Sequence, residues 1–286
     1  MSLARPTPLA DSSPPGQKQD PPQTGSAVRA PSARPVSERD FLKNIWIDQK
    51  TIWTAPLHPK NYDWRFLLPF TMVTAGLIAS DKAVAREVSE SPPGTGFAVS
   101  RRISQIGSPA VDYAVAGAFY GVGLLTDNDR ARETGLLGLE ALVNSTVVSA
   151  RLKVATQRER PTKSGGRQRI DDARGRFAQG GTSFPSGHAM AAWSLASVIA
   201  ARYPDRPAIE YSAYGLAGLV SVSRITARKH FPSDALVGGV LGYLIGHYVV
   251  RAHSQRRQKR GRLTPLILPH VDEGRRQYGF SVQIQF

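Results

Sequence analysis

The sequence predicts an all-α protein: a compact bundle of about six core helices, with a disordered N-terminal tail and a short β-like C-terminal tail. Three observations predict it. Six apolar segments follow Phe41, separated by Gly, Pro and charge clusters, and none of them shows the period-2 alternation of a strand. The chain has 286 residues, 41% of them apolar, enough for one large domain with a real core. Residues 1–40 are instead rich in Pro, Ser, Gly, Ala and Gln, a composition that buries too little apolar surface to fold.

The elements divide the chain into a tail at 1–40, a helical domain at 41–252, and a basic linker with a strand-like end at 253–286. The tail has no apolar core of signal-peptide length. The helical segments lie at about 66–80, 109–125, 132–157, 187–202, 208–224 and 234–250. A membrane span needs about 20 mostly apolar residues. The first segment is bounded by Arg65 and Asp81, the last contains His247, and the third carries Arg132, Glu133, Glu140 and Asn144. Each is short for a span and long enough for a core helix, which favours a water-soluble or peripheral bundle over an integral one. After Val250 comes the run RAHSQRRQKRGR, suited to solvent or to anionic lipid headgroups. Beyond it, Tyr278, Phe280, Val282, Ile284 and Phe286 alternate with other residues, and LTPLILPHV before them suggests a hairpin.

The formal net charge is +15 and the pI near 10.4, a balance that favours anionic partners: phosphates, an anionic membrane surface or nucleic acid. There is no cysteine, which excludes disulfides and Cys-ligated metals.

Three clusters carry the chemistry. In KVATQRERP, Lys153, Gln157 and Arg160 stand at i, i+4 and i+7, one face of a helix that Pro161 would stop. Lys is a point charge and Arg a bidentate fork, so the two together can grip an anion. In TSFPSGHAM, Ser186 and Gly187 open a helix, where free backbone N–H groups bind anions and Gly allows close approach. His188 follows in the first turn. In SRITARKHFPSD, Ser223 and Arg224 end one helix, His230 lies in a turn, and Asp234 stands four residues on, within reach of the ring. A His–carboxylate pair fixes the tautomer and leaves the other nitrogen free as base or nucleophile. Each cluster alone is also an ordinary helix end or cap. Together they supply cationic clamps, an anion-binding helix start, two histidines and an orienting carboxylate. The neighbours of the histidines are cations, an unsuitable metal set. The inventory suits metal-free phosphoryl transfer. The special residues are placed for one compact site, not along a stripe with aromatics, so no nucleic acid partner is expected.

These residues resemble the signature of the phosphatidic acid phosphatase type 2 superfamily, which also holds bacterial non-specific acid phosphatases and vanadium haloperoxidases. The signature is K-x6-RP, PSGH and SR-x5-H-x3-D. This chain has Lys153-x6-Arg160-Pro161, Pro185-Ser186-Gly187-His188 and Ser223-Arg224-x5-His230-x3-Asp234, in order and without substitution. The resemblance covers about 150–250. It implies a helical bundle with the site at one end. It implies that Lys153, Arg160, Ser186, Gly187 and Arg224 bind the phosphate, that His230 is the nucleophile forming a phosphohistidine, that Asp234 orients it, and that His188 is the general acid. Position 192 is Ala, so His188 has no carboxylate four residues on, in keeping with the freer role.

The resulting expectation is a cofactor-free phosphatase of the cell envelope, periplasmic or membrane-associated, hydrolysing phosphomonoesters, with lipid phosphates and prenyl diphosphates among the candidate substrates. The alternatives are a vanadium-dependent haloperoxidase, in which the same residues hold vanadate, and a non-catalytic basic binding protein. The polar, Gly-rich loop from Thr162 to Gly181 joins two motifs that must converge, which places it beside the site entrance.

Overall fold

The computed structural model describes residues 38–57, 64–90, 95–161, 175–262, 266–272 and 277–283. The predicted tail to residue 37, and residues 162–174 of the long loop, lie outside the described residues. The helices are α1 (Phe41–Thr54), α2 (Trp64–Glu90), α3 (Thr95–Ile106), α4 (Pro109–Leu125), α5 (Asp129–Thr156), α6 (Gly187–Arg202), α7 (Pro207–Thr226) and α8 (Pro232–Arg262). The chain then forms an antiparallel hairpin, β1 (Leu266–Asp272) with β2 (Gln277–Gln283), in which Leu268 pairs with Ser281. All six predicted segments are helices, and α1 and α3 are added to them. α3 has a weakly apolar sequence that holds Arg101, Arg102 and Ser104, while α1, though rich in apolar residues, buries Asn44, Asp48 and Gln49 in place of an apolar stripe.

The bundle is built around α6, which packs against α5, α7 and α8. Its sequence is rich in Ala and Ser, and Ala189, Met190, Ser194 and Val198 are fully buried. Small side chains let several helices approach one axis. On α8, Gly238, Gly242 and Gly246 recur every four residues, facing the carbonyls of Ser186, Met190 and Ser194 on α6. A side chain at any of these three would collide with backbone, so their glycines set the α6–α8 distance. Larger side chains close the core on the other sides, with Leu137, Val148, Met190, Val198, Ile245 and Val249 in one cluster. Burying each contributes roughly 1.5–3 kcal/mol.

Two predicted boundaries move. α2 does not end at Asp81: the helix runs on to Glu90, because Asp81 is turned inward to buried partners. α8 continues to Arg262, so the first part of the predicted linker is helix. Three of its basic side chains reach buried carboxylates: His253 Nε2 lies 2.9 Å from Glu140, Arg256 bonds Asp48, and Arg257 bonds Glu133. With their extended bounds, Trp64–Val88 and Pro232–Gln258 are long and apolar enough to cross a membrane by length and composition. Only 6% of the α2 window is buried, against 50% for α8. Phe66, Leu68, Met72 and Val73 on α2 are exposed, as are Leu216, Leu219 and Val222 on α7.

Candidate active site

His230 sits in the short connection between α7 and α8. α7 ends at Thr226, Arg228 takes a left-handed φ of 58°, and the amides of Lys229 and His230 both donate to the Arg224 carbonyl, at 3.0 and 3.1 Å. This tight return buries the ring to 2% exposure. Its Nδ1 lies 3.6 Å from Asp234 Oδ2, close enough to orient the ring and too long for a hydrogen bond. Burial pushes the imidazole down to about 4, against the opposing pull of Asp234.

Asp234 is fully buried in the first turn of α8. Its Oδ2 accepts from the Phe231 amide at 2.9 Å and from Ser183 Oγ, and its Oδ1 from Arg158 Nη1 at 2.7 Å. The Phe231 bond is a helix cap, so the carboxylate that faces His230 is held by the fold itself. The Asp234 carbonyl accepts from the Ser186 amide at 2.9 Å, tying the starts of α6 and α8 together.

Ser186 is the N-cap of α6: it is buried, and its Oγ faces the Ala189 amide at 3.5 Å. Next to it, a methyl group on Gly187 would stand 3.1 Å from Lys153 Nζ and 3.2 Å from Ser149 Oγ. Gly187, Lys153 and Ser149 therefore converge on one point. Ser149 Oγ is buried and has no hydrogen-bond partner.

Lys153 lies in the last turn of α5, but Arg160 does not share its helical face as the spacing predicts. The helix stops at Thr156, not at Pro161. Gln157 adopts a left-handed φ of 44°, its amide caps the Lys153 carbonyl, and the carbonyls of Thr156, Gln157 and Arg158 accept from Ala178, Gln179 and Ser183 of the returning chain. Helical bonding gives way to pairing with a distant segment, so Arg160 reaches the site along a non-helical stretch. Arg224, buried near the end of α7, donates through Nη1 to Ser104 Oγ on α3. Burial, then the nearby Arg160, brings its guanidinium down to about 10. The Lys153 ammonium is also lowered by burial, with Arg160 and Arg224 adding to it.

His188 stands in the first turn of α6, half-buried. Its ring is pushed down to about 3, first by burial and then by Arg224, His230, Lys153 and Arg160. One imidazole thus feels every cation that the sequence singles out. Lys153, Arg160, His188, Arg224 and His230 share one small space, an arrangement that suits a multiply charged anion.

Residues outside the motifs complete the site. Arg158 is 1% exposed, a buried cation between Asp234 and Asp81. It lies in the same RERP stretch as Arg160, and nothing in the sequence separates a buried arginine from a solvated one. Ser104, Ser149, Ser183 and Ser233 are likewise ordinary serines until the helices meet.

The PAP2 superfamily model matches residues 134–258. A lipid A 1-phosphatase of Porphyromonas gingivalis is 36% identical over 76 residues, which is 25% of this chain and 17% of that protein. The chain thus matches about a sixth of that relative's length. Among solved structures, the fold is similar to a transmembrane PAP2 type phosphatidylglycerolphosphate phosphatase from Bacillus subtilis, with a TM-score of 0.52 and 22% identity over 66% of this chain and 94% of that one. LpxE of Aquifex aeolicus aligns with a TM-score of 0.45 and 20% identity, over 59% and 93% of the two chains. The three motifs, from Lys153 to Asp234, all lie on the stretch that matches the PAP2 superfamily model.

Proposed function

We propose that this chain is a phosphatase that hydrolyses phosphomonoesters of apolar, membrane-resident alcohols through a phosphohistidine on His230. The observation that carries the reading is the crowding of Lys153, Arg160, Arg224 and His188 around a buried histidine backed by a carboxylate. The cations neutralise the phosphoryl oxygens, and the backbone at Gly187 adds N–H donors. His230 Nε2 attacks phosphorus while Nδ1–H faces Asp234. The P–O ester bond breaks as His188 protonates the departing oxygen. Water then attacks the phosphohistidine with His188 taking its proton, the P–N bond breaks, and inorganic phosphate leaves.

The pull on His188 makes this order sensible. Beside the three cations Lys153, Arg160 and Arg224 its ring is neutral and cannot act as an acid. A phosphate dianion in the pocket offsets most of that charge and raises the ring's proton affinity, so the acid is charged only when substrate is bound.

The membrane-resident part rests on α2, whose apolar side chains are exposed along most of its length, and on the exposed apolar residues of α7. The names of the relatives, a lipid A phosphatase and a phosphatidylglycerolphosphate phosphatase, are in keeping with a lipid phosphate.

The test is hydrolysis by full-length protein in detergent, with a lipid phosphate, a prenyl diphosphate and a soluble aryl phosphate. His230→Ala abolishes release of phosphate from all of them, and EDTA leaves the wild-type rate intact. His188→Ala slows alkyl phosphates far more than aryl phosphates, whose leaving groups need no proton. Turnover by His230→Ala, or full loss in EDTA, sinks the reading. Halide oxidation by vanadate-loaded protein would replace it with haloperoxidase chemistry.

A further inference from the structure

α2 is the most outward of the helices long enough to cross a membrane, yet of its three carboxylates, Asp81, Glu87 and Glu90, the first is 2% exposed. Asp81 Oδ1 accepts from the Ser233 amide at 3.0 Å, and Oδ2 accepts from Arg158 Nη2 at 2.7 Å and from Ser233 Oγ. The other terminal nitrogen of Arg158, Nη1, donates to Asp234 Oδ1 and to Ser233 Oγ, both at 2.7 Å. Its Nε donates to the Gly175 carbonyl at 3.1 Å, and the guanidinium lies over the rings of Phe231 and Phe177. All three nitrogens of the fork donate, through four hydrogen bonds, so the guanidinium is held in one orientation.

We propose that Asp81 is a positioning residue for Asp234 and His230, acting through Arg158 and Ser233, so that α2 is part of the hydrolytic machinery as well as of the apolar surface. The proposal rests on the function given above. Its physical basis is charge sharing. One buried cation serves two carboxylates, so Asp234 receives only part of the Arg158 charge and keeps the capacity to accept from His230 Nδ1–H. Without Asp81 the whole guanidinium charge falls on Asp234, and Nη2 is left without an acceptor in a dry place. The Asp234 carboxylate then turns toward Arg158, and the ring loses the partner that selects its tautomer. Asp81 also holds the Ser233 amide, one residue before Asp234, and so anchors the helix turn that carries the carboxylate.

The test uses full-length protein in detergent and the Asp81→Asn variant, which keeps the shape and removes the charge. Three quantities are measured: kcat and KM for a phosphomonoester, the thermal midpoint, and the His230 tautomer at neutral pH from 15N-histidine spectra assigned with His230→Ala. The expected result is a kcat at least about tenfold lower with KM within about twofold, since displacement of a reacting group taxes the chemical step. The His230 spectrum gains the Nε2–H tautomer, and Asp81→Glu recovers part of both. A wild-type kcat and tautomer in Asp81→Asn overturn the proposal. So does a loss of activity that only tracks loss of folded protein. If Asp81→Asn does not fold, Ser233→Ala removes a strut from the same network without touching a charge. It should lower kcat to a lesser degree and shift the tautomer, and an unchanged tautomer there overturns the proposal. If the wild type hydrolyses no phosphate ester, the functional reading fails by itself, and the spectra still report whether Asp81 sets the His230 ring.

Discussion

Gly187 and Lys153 meet at the start of α6, where a methyl group on the glycine would stand 3.1 Å from the lysine Nζ. The same methyl would lie 3.2 Å from Ser149 Oγ. Gly187→Ala therefore fills the space in which the ammonium meets an anion. Alanine suits a helix start and stabilises it by about 0.4–1 kcal/mol through the unfolded chain. The expected outcome is a split: the thermal midpoint holds or rises while inhibition by vanadate weakens about tenfold, or roughly 1.4 kcal/mol. An inhibition constant equal to that of the wild type would remove Gly187 from the pocket.

Arg224 offers a planar fork that is braced by Ser104 from α3. A lysine there keeps the charge and loses the second donor and the brace. We expect Arg224→Lys to lower kcat/KM by about 10- to 100-fold, the range of a lost charge-assisted hydrogen bond of roughly 1.5–3 kcal/mol. Ser104→Ala should cost less, because the fork itself remains. Steady-state kinetics on one soluble phosphomonoester decide both; equal rates for Arg224→Lys and wild type would argue against bidentate binding.

Stability should fall on acidification through the histidine range. Burial lowers His188 to about 3 and His230 to about 4 from an ordinary 6.5. Between pH 6.5 and 4 the unfolded chain binds protons that the folded protein refuses, so acid favours unfolding. The contribution is complete above pH 6.5 and drains away as pH drops toward the folded values. Thermal midpoints taken from pH 7.5 to 4.5 should decline, and less steeply in His188→Gln. Bound vanadate, by raising the His188 proton affinity, should flatten the decline as well. A midpoint that does not fall over this interval would contradict the burial of these rings.

The contact between α6 and α8 depends on glycine. At Gly242 a methyl group would overlap the Met190 carbonyl. Gly242→Ala should destabilise by about 1–3 kcal/mol, the usual cost of overpacking, despite the better helix propensity of alanine. Gly218, on α7, has nothing near its Cα hydrogen, so Gly218→Ala is the control and should be neutral or stabilising. Denaturant unfolding of the two variants separates packing from propensity.

Much of this site was legible because its chemistry is written in side-chain types at short spacing. Ser186, Gly187 and His188 are consecutive, and His230 lies four residues before Asp234, just ahead of the helix that carries it, so each group is close in sequence. Where spacing misled, a long-range bond had won. Lys153 and Arg160 seemed to share a helical face, but the chain leaves the helix at Gln157 to pair with residues 178–183. Asp81 read as the charged end of an apolar segment and is instead an inward anchor.

By itself the sequence determined the all-α class and the positions of the six apolar helices, and it singled out the candidate phosphate-directed groups. These depend on periodicity and on residue chemistry, both local properties. Only the tertiary structure decided which cations stand around His188, that Arg158 is buried between two carboxylates, and that α2 reaches the site. Those facts arise from desolvation and from contacts between residues as far apart as Asp81 and Ser233, and burial is a property of the packed chain that no single stretch contains.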